Sequence, residues 1–86
     1  MAIRVNSNHL AEIRKHGERT YPHECCGFLL GKREGDTNVL AEVHAAENER
    51  TDSRETRYLI TPQQYKRADD YARSRGLGVI GYYHSH

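Results

Sequence analysis

The pattern of apolar and polar positions along the chain changes period several times, and each change predicts an element. Ile3 and Val5 alternate with polar neighbours and open a short edge strand. Ser7 or Asn8 then supplies the cap of a helix with a narrow apolar stripe through Leu10 and Ile13, and Gly17 is its expected stop. Tyr21 and Pro22 redirect the chain. The run CCGFLLG, residues 25–31, is continuously apolar and of strand length, which predicts a core strand covered on both faces. Turn residues around Gly35, Asp36 and Asn38 lead into VLAEVHAAE, a hairpin partner with Val39, Ala41, Val43 and Ala45 on one face.

Residues 48–57, NERTDSRETR, are nearly all polar or charged and read as an exposed, mobile loop. A short strand is expected at YLI, residues 58–60. TPQQ then matches a capping box, with Thr61 as cap, Pro62 at the first helical position and Gln64 reaching back. The helix it starts carries Tyr65, Ala68 and Ala72 on one side as ordinary packing residues and ends at Gly76, with Arg73 and Arg75 near its negative pole. A final strand runs through Val79 and Ile80, where Gly78 and Gly81 suggest the close approach of another backbone and Tyr82 and Tyr83 read as sheet packing. This order of elements predicts an α/β (α+β) sandwich, helices packed on a mixed or mainly antiparallel sheet.

Eighty-six residues at 36% hydrophobic content allow one domain, residues 1–86, with a small core. Thirteen basic against twelve acidic side chains leave a net charge of +1 with no long block of one sign, so nucleic acid is not an expected partner. No apolar run approaches the roughly 20 residues of a membrane span, nor the long apolar stretch of a signal peptide, and a cytoplasmic chain is expected. Cys25 and Cys26 are chain neighbours, with Cα atoms about 3.8 Å apart against the roughly 4.4 to 6.8 Å of a disulfide. They read as small packing residues, with a thiol or metal role as the alternative.

The chemistry gathers at the last residues, GYYHSH. On a strand, side chains two apart share a face, so His84 and His86 would present two imidazoles side by side, an arrangement suited to zinc. A catalytic zinc usually has three protein ligands and a water, and only two are visible. Taken alone the pair equally fits exposed residues or the start of an affinity tag, although the continuous strand before it disfavours a tag. Glu24 taken alone is a solvated carboxylate at a strand end. His9, His16 and His44 lack a companion at ligand spacing and are assigned surface or helix-end roles.

Read together, YPHECCGFLLG at residues 21–31 and GVIGYYHSH at residues 78–86 resemble the JAMM, or MPN-plus, zinc metallopeptidases, in which a glutamate before an apolar strand faces an H-S-H or H-T-H pair. YLITPQQY at residues 58–65 fits the extended segment and proline-started helix of that family, and short prokaryotic members with an ECCG form are especially similar. The resemblance implies an MPN-type, cytidine-deaminase-like sandwich, Zn2+ held by His84 and His86, and Glu24 as general base and acid. It further implies a protein or peptide substrate, with ubiquitin-like or sulfur-carrier proteins as candidates, and a homodimer as a candidate assembly.

The family pattern continues beyond the second histidine with a proline-containing loop, an oxyanion-stabilising serine and an aspartate ligand, which do not occur here. The chain is therefore expected to be C-terminally incomplete, a fragment of a longer product with an exposed sheet edge or apolar face. Missing ligands could alternatively come from another molecule, from the terminal carboxylate of His86, or from His23, Cys25 or Cys26. A metal-free, non-catalytic docking module is the competing function. A barrel-type metal hydrolase is disfavoured, because its H-x-H pair lies early in a far longer chain.

Overall fold

A computed structural model describes residues 2–22, 24–46 and 60–84. Its elements, in chain order, are β1 (Ala2–Arg4), α1 (Ser7–Thr20), β2 (Cys26–Glu34), β3 (Thr37–Ala46), α2 (Pro62–Ser74) and β4 (Gly78–His84). The sheet order is β1-β3-β2-β4. β1 runs parallel to β3, and β2 is antiparallel to both β3 and β4, which makes the sheet mixed. The loop expected at residues 48–57 lies outside the described residues, as do Tyr58 and Leu59 of the expected short strand. Ile60 is not in a strand but directly precedes the α2 cap. Among the described residues no helix is long and apolar enough to cross a membrane.

β2 is central because its apolar run supplies both faces. Phe28 and Leu30 are fully buried and form the core with Ala68 and Ala72 of α2, flanked by Ala46, Ile60, Leu77 and Val79. Small side chains on α2 let the helix approach the sheet closely, as the spacing of Ala68 and Ala72 predicts. The α2 start is built as expected: Gln64 N donates to Thr61 Oγ1 at 3.2 Å, and Thr61 N donates to Gln64 Oε1 at 2.9 Å. After the helix, Gly76 adopts φ of 72°, the left-handed stop that glycine favours.

Three sequence-based expectations are corrected. The cap of α1 is Asn6, whose Oδ1 accepts from His9 N at 2.9 Å, rather than Ser7 or Asn8. The helix passes through Gly17 to Thr20, because Thr20 Oγ1 donates to the carbonyls of His16 and Gly17 and Pro22 disfavours helical geometry only at Tyr21. Leu10 is also 56% exposed, and the one buried residue of α1 is His16.

Second, Val39, Ala41, Val43 and Ala45 do not share a face. The register steps from Leu30 opposite Glu42 to Gly31 opposite Leu40, leaving Ala41 as an extra, bulged residue that inverts the alternation. Leu40 is thereby buried, and the Ala41 carbonyl accepts from His9 Nε2 at 3.1 Å. β4 shifts one residue earlier along β2, with Leu29 opposite Gly81 and Leu30 opposite Val79, so Ile80 is its extra residue.

Third, the close approaches expected at Gly78 and Gly81 occur at Gly27 and Gly31 instead. Gly78 has open space around it, and a Cβ on Gly81 would make only ordinary contact with Leu29. A Cβ on Gly27 would fall on the Tyr83 ring, and one on Gly31 would meet the Val39 carbonyl oxygen.

Candidate functional site

Glu24 lies two residues before β2, and His84 is the last residue of β4. Cys26 is directly opposite His84 in the antiparallel pair, so the end of β4 stands beside the chain entering β2. The result is a contact between residues far apart in sequence: Glu24 Oε1 is 3.6 Å from His84 Nδ1. The carboxylate side chain is 4% exposed and the imidazole 39%, so a buried acid faces a ring that solvent can reach. A separation of 3.6 Å is within ion-pair range but longer than a hydrogen bond.

His86, the second expected ligand, lies outside the described residues, as does His23. Cys25 and Cys26 are buried, at 2% and 0% exposure. Burial, then the neighbouring Cys25 and Glu24, pushes the Cys26 thiol up to about 11, so it keeps its proton at neutral pH. Among the described residues no group of three or more His, Cys, Asp or Glu side chains could hold a metal ion. His84 has the chemistry of a zinc ligand and Glu24 that of a base beside a metal-bound water, so the two fit such a site when further ligands join His84.

The layer shared with α2 continues away from this pair as a ladder of aromatic rings. Tyr82, two residues before His84, packs on Phe28 at 5.7 Å and on Tyr65 at 6.2 Å between ring centroids. Tyr65 meets Phe28 edge-on at 5.9 Å. Ile60, Thr61, Pro62, Tyr65 and Tyr82 line an open groove of about 560 Å³. Sequence reading placed Tyr65 and Tyr82 in packing roles, yet they are 43% and 52% exposed.

Sequence reading also missed the opposite layer. His16 is not a surface residue: it is 8% exposed, and its Nδ1 is 2.8 Å from the Tyr83 hydroxyl. The rings meet edge-on, with centroids 5.8 Å apart at 79°. Burial, then the Arg19 charge, lowers the His16 pKa and keeps the imidazole neutral, while burial raises that of Tyr83 and keeps the phenol protonated. The Tyr83 hydroxyl and Nδ1 therefore share a hydrogen bond between two neutral groups. The available signal was steric: the glycine of β2 that faces Tyr83 leaves room for a ring.

Comparison with known proteins bears on the family and the fold. The family model of prokaryotic homologues of the JAB domain matches residues 6–86. The solution structure of protein DSY2949 from Desulfitobacterium hafniense superposes with a TM-score of 0.85 at 27% identity, over 98% of this chain and 56% of that one. The solution structure of a protein from Salinibacter ruber gives a TM-score of 0.69 at 44% identity, over 100% of this chain and 56% of that one. The chain thus spans little more than half the length of these similar proteins. With the family model covering all but the first five residues, on a mixed sheet flanked by two helices, the chain belongs to the prokaryotic JAB-domain family, of the JAMM/MPN type.

Proposed function

We propose that this chain carries the catalytic core of a zinc-dependent metallopeptidase of isopeptidase type. The observation that carries the reading is the buried Glu24 carboxylate set 3.6 Å from the solvent-reachable His84 imidazole. His84 and His86 would hold the zinc ion, together with ligands from outside the described residues. When bound, zinc supplies a water acidified towards a pKa of about 7 and polarises the carbonyl to be cleaved.

Glu24 takes a proton from the attacking water and returns it to the leaving amine. Its burial excludes competing solvent from the carboxylate and keeps it aimed at the His84 side. The groove between Tyr65 and Tyr82 would orient an extended peptide by its apolar side chains, in keeping with cleavage near the C-terminus of a ubiquitin-like or sulfur-carrier protein.

Measured zinc uptake and peptidase turnover test this reading with two variants. Glu24→Gln is expected to retain zinc and lower turnover by about 10² to 10⁴, the usual worth of positioned proton transfer. His84→Ala is expected to lose both. A wild-type protein that takes up no zinc, with Glu24→Ala leaving its biological activity unchanged, would establish the competing function of a non-catalytic docking domain. The lack of a three-donor group among the described residues is the observation that keeps this second function in view.

A further inference from the structure

Among the described residues β4 pairs only with β2, and the last described pair joins Cys26 to His84. The end of a strand held along one edge is where a sheet opens most readily. The position of His84 opposite Glu24 follows from where this end of β4 is held. The neighbouring residue supplies a tether from the other layer. The Tyr83 ring covers the Gly27 backbone, is 9% exposed, and ends in a hydroxyl 2.8 Å from His16 Nδ1.

His16 is the only buried residue of α1, so the helix reaches β4 through this imidazole. We propose that His16 and Tyr83 are positioning residues: their hydrogen bond ties the end of β4 to α1 and thereby fixes His84 against Glu24 from the opposite face of the sheet. The consequence for metal affinity rests on the proposed zinc reading, whereas the tether itself does not. Neither residue touches the reacting atoms. Each acts through the backbone position of His84, because Tyr83 and His84 alternate across the strand.

The geometry makes the tether specific. The Tyr83 hydroxyl can both donate and accept, so a side chain that places a hydrogen-bonding group at the same distance from the helix can replace histidine. The Asn carboxamide oxygen occupies a position equivalent to Nδ1, and Ala offers nothing.

The test uses the whole chain and the variants Tyr83→Phe, His16→Ala and His16→Asn. Two readouts are needed: amide hydrogen exchange, resolved by residue in the metal-free protein, and zinc affinity by competition with a chelator. Tyr83→Phe and His16→Ala are expected to speed exchange of the bonded amides at residues 82–84 about 5-fold, the worth of one hydrogen bond, leaving the β2–β3 hairpin amides unchanged. The zinc dissociation constant should rise by a similar factor, about 5-fold, and His16→Asn should recover most of both losses.

Equal acceleration across the whole sheet, or none at residues 82–84, overturns the proposal. So does local acceleration with zinc affinity unaltered, which would leave a packing bond with no influence on the site. A wild-type chain that binds no zinc removes the metallopeptidase reading, and the exchange measurement then decides the tether alone. If His16→Ala fails to fold, Tyr83→Phe carries the test, since it keeps the ring over Gly27.

Discussion

At Gly31 an added methyl group would lie against the Val39 carbonyl oxygen and 2.9 Å from Ile80 Cδ1. A backbone carbonyl held in a ladder cannot move aside as a side chain can. Gly31→Ala is therefore expected to destabilise the chain by about 3 kcal/mol, the upper part of the usual overpacking range, measured from urea midpoints. Gly27→Ala should cost less, because the atoms in the way belong to the end of the Tyr83 side chain, although it would break the bond to His16. Equal losses for the two variants would refute this ranking. Both positions share the logic that makes Glu24 and His84 informative. What surrounds a residue, more than its type, decides whether it is a packing element, a tether or a reactive group.

α2 was legible because all its signals are local. Thr61, Pro62 and Gln64 stand within four positions, and each acts on backbone groups of its own first turn. Thr61→Ala should cost about 1 kcal/mol by removing the acceptor for Gln64 N, read as a lowered denaturation midpoint with unchanged slope. β2 was legible from its apolar run, but it continues through Lys32–Glu34 and β3 already begins at Thr37, so Asn38 lies in a strand and the turn itself is only Gly35 and Asp36. α1 was misread where its stop depends on Pro22 and a Thr20 hydroxyl instead of a glycine. The face of β3 was misread because the bulge at Ala41 arises from pairing with another strand, which periodicity within one strand cannot express. Glu24 and His84 were singled out only through their joint resemblance to a family, and the burial of Glu24, which alone reads as a solvated strand-end carboxylate, comes from packing that its sequence neighbours do not express. The His16–Tyr83 bond joins positions 67 apart and had only the opposing glycine as a clue.

Two charged arrangements give the whole molecule two pH windows. Folded His16 resists protonation, while in the unfolded chain it titrates at 6.5, so between its lowered value and 6.5 the unfolded state binds more protons. Stability should therefore fall as pH drops through 6.5 towards the lowered folded value, and thermal unfolding of His16→Asn should show a shallower slope there. Glu42 behaves differently, accepting from the Tyr71 hydroxyl at 2.8 Å and from Arg75 Nε at 2.7 Å. These bonds, Tyr71 first, hold its carboxyl below the usual range, so the link between β3 and α2 is present above about pH 4.3 and lost as pH falls through the lowered value. The arrangement of the strands also sets an order of assembly. β2 meets β3 across a two-residue turn, Gly35 and Asp36, but meets β4 only after α2 has intervened in the chain. Closing that longer loop carries a larger entropic cost and so comes late in folding. A nascent or partly opened molecule can thus keep its hairpin while Glu24 and His84 are still apart, so the pair comes together only with the last strand.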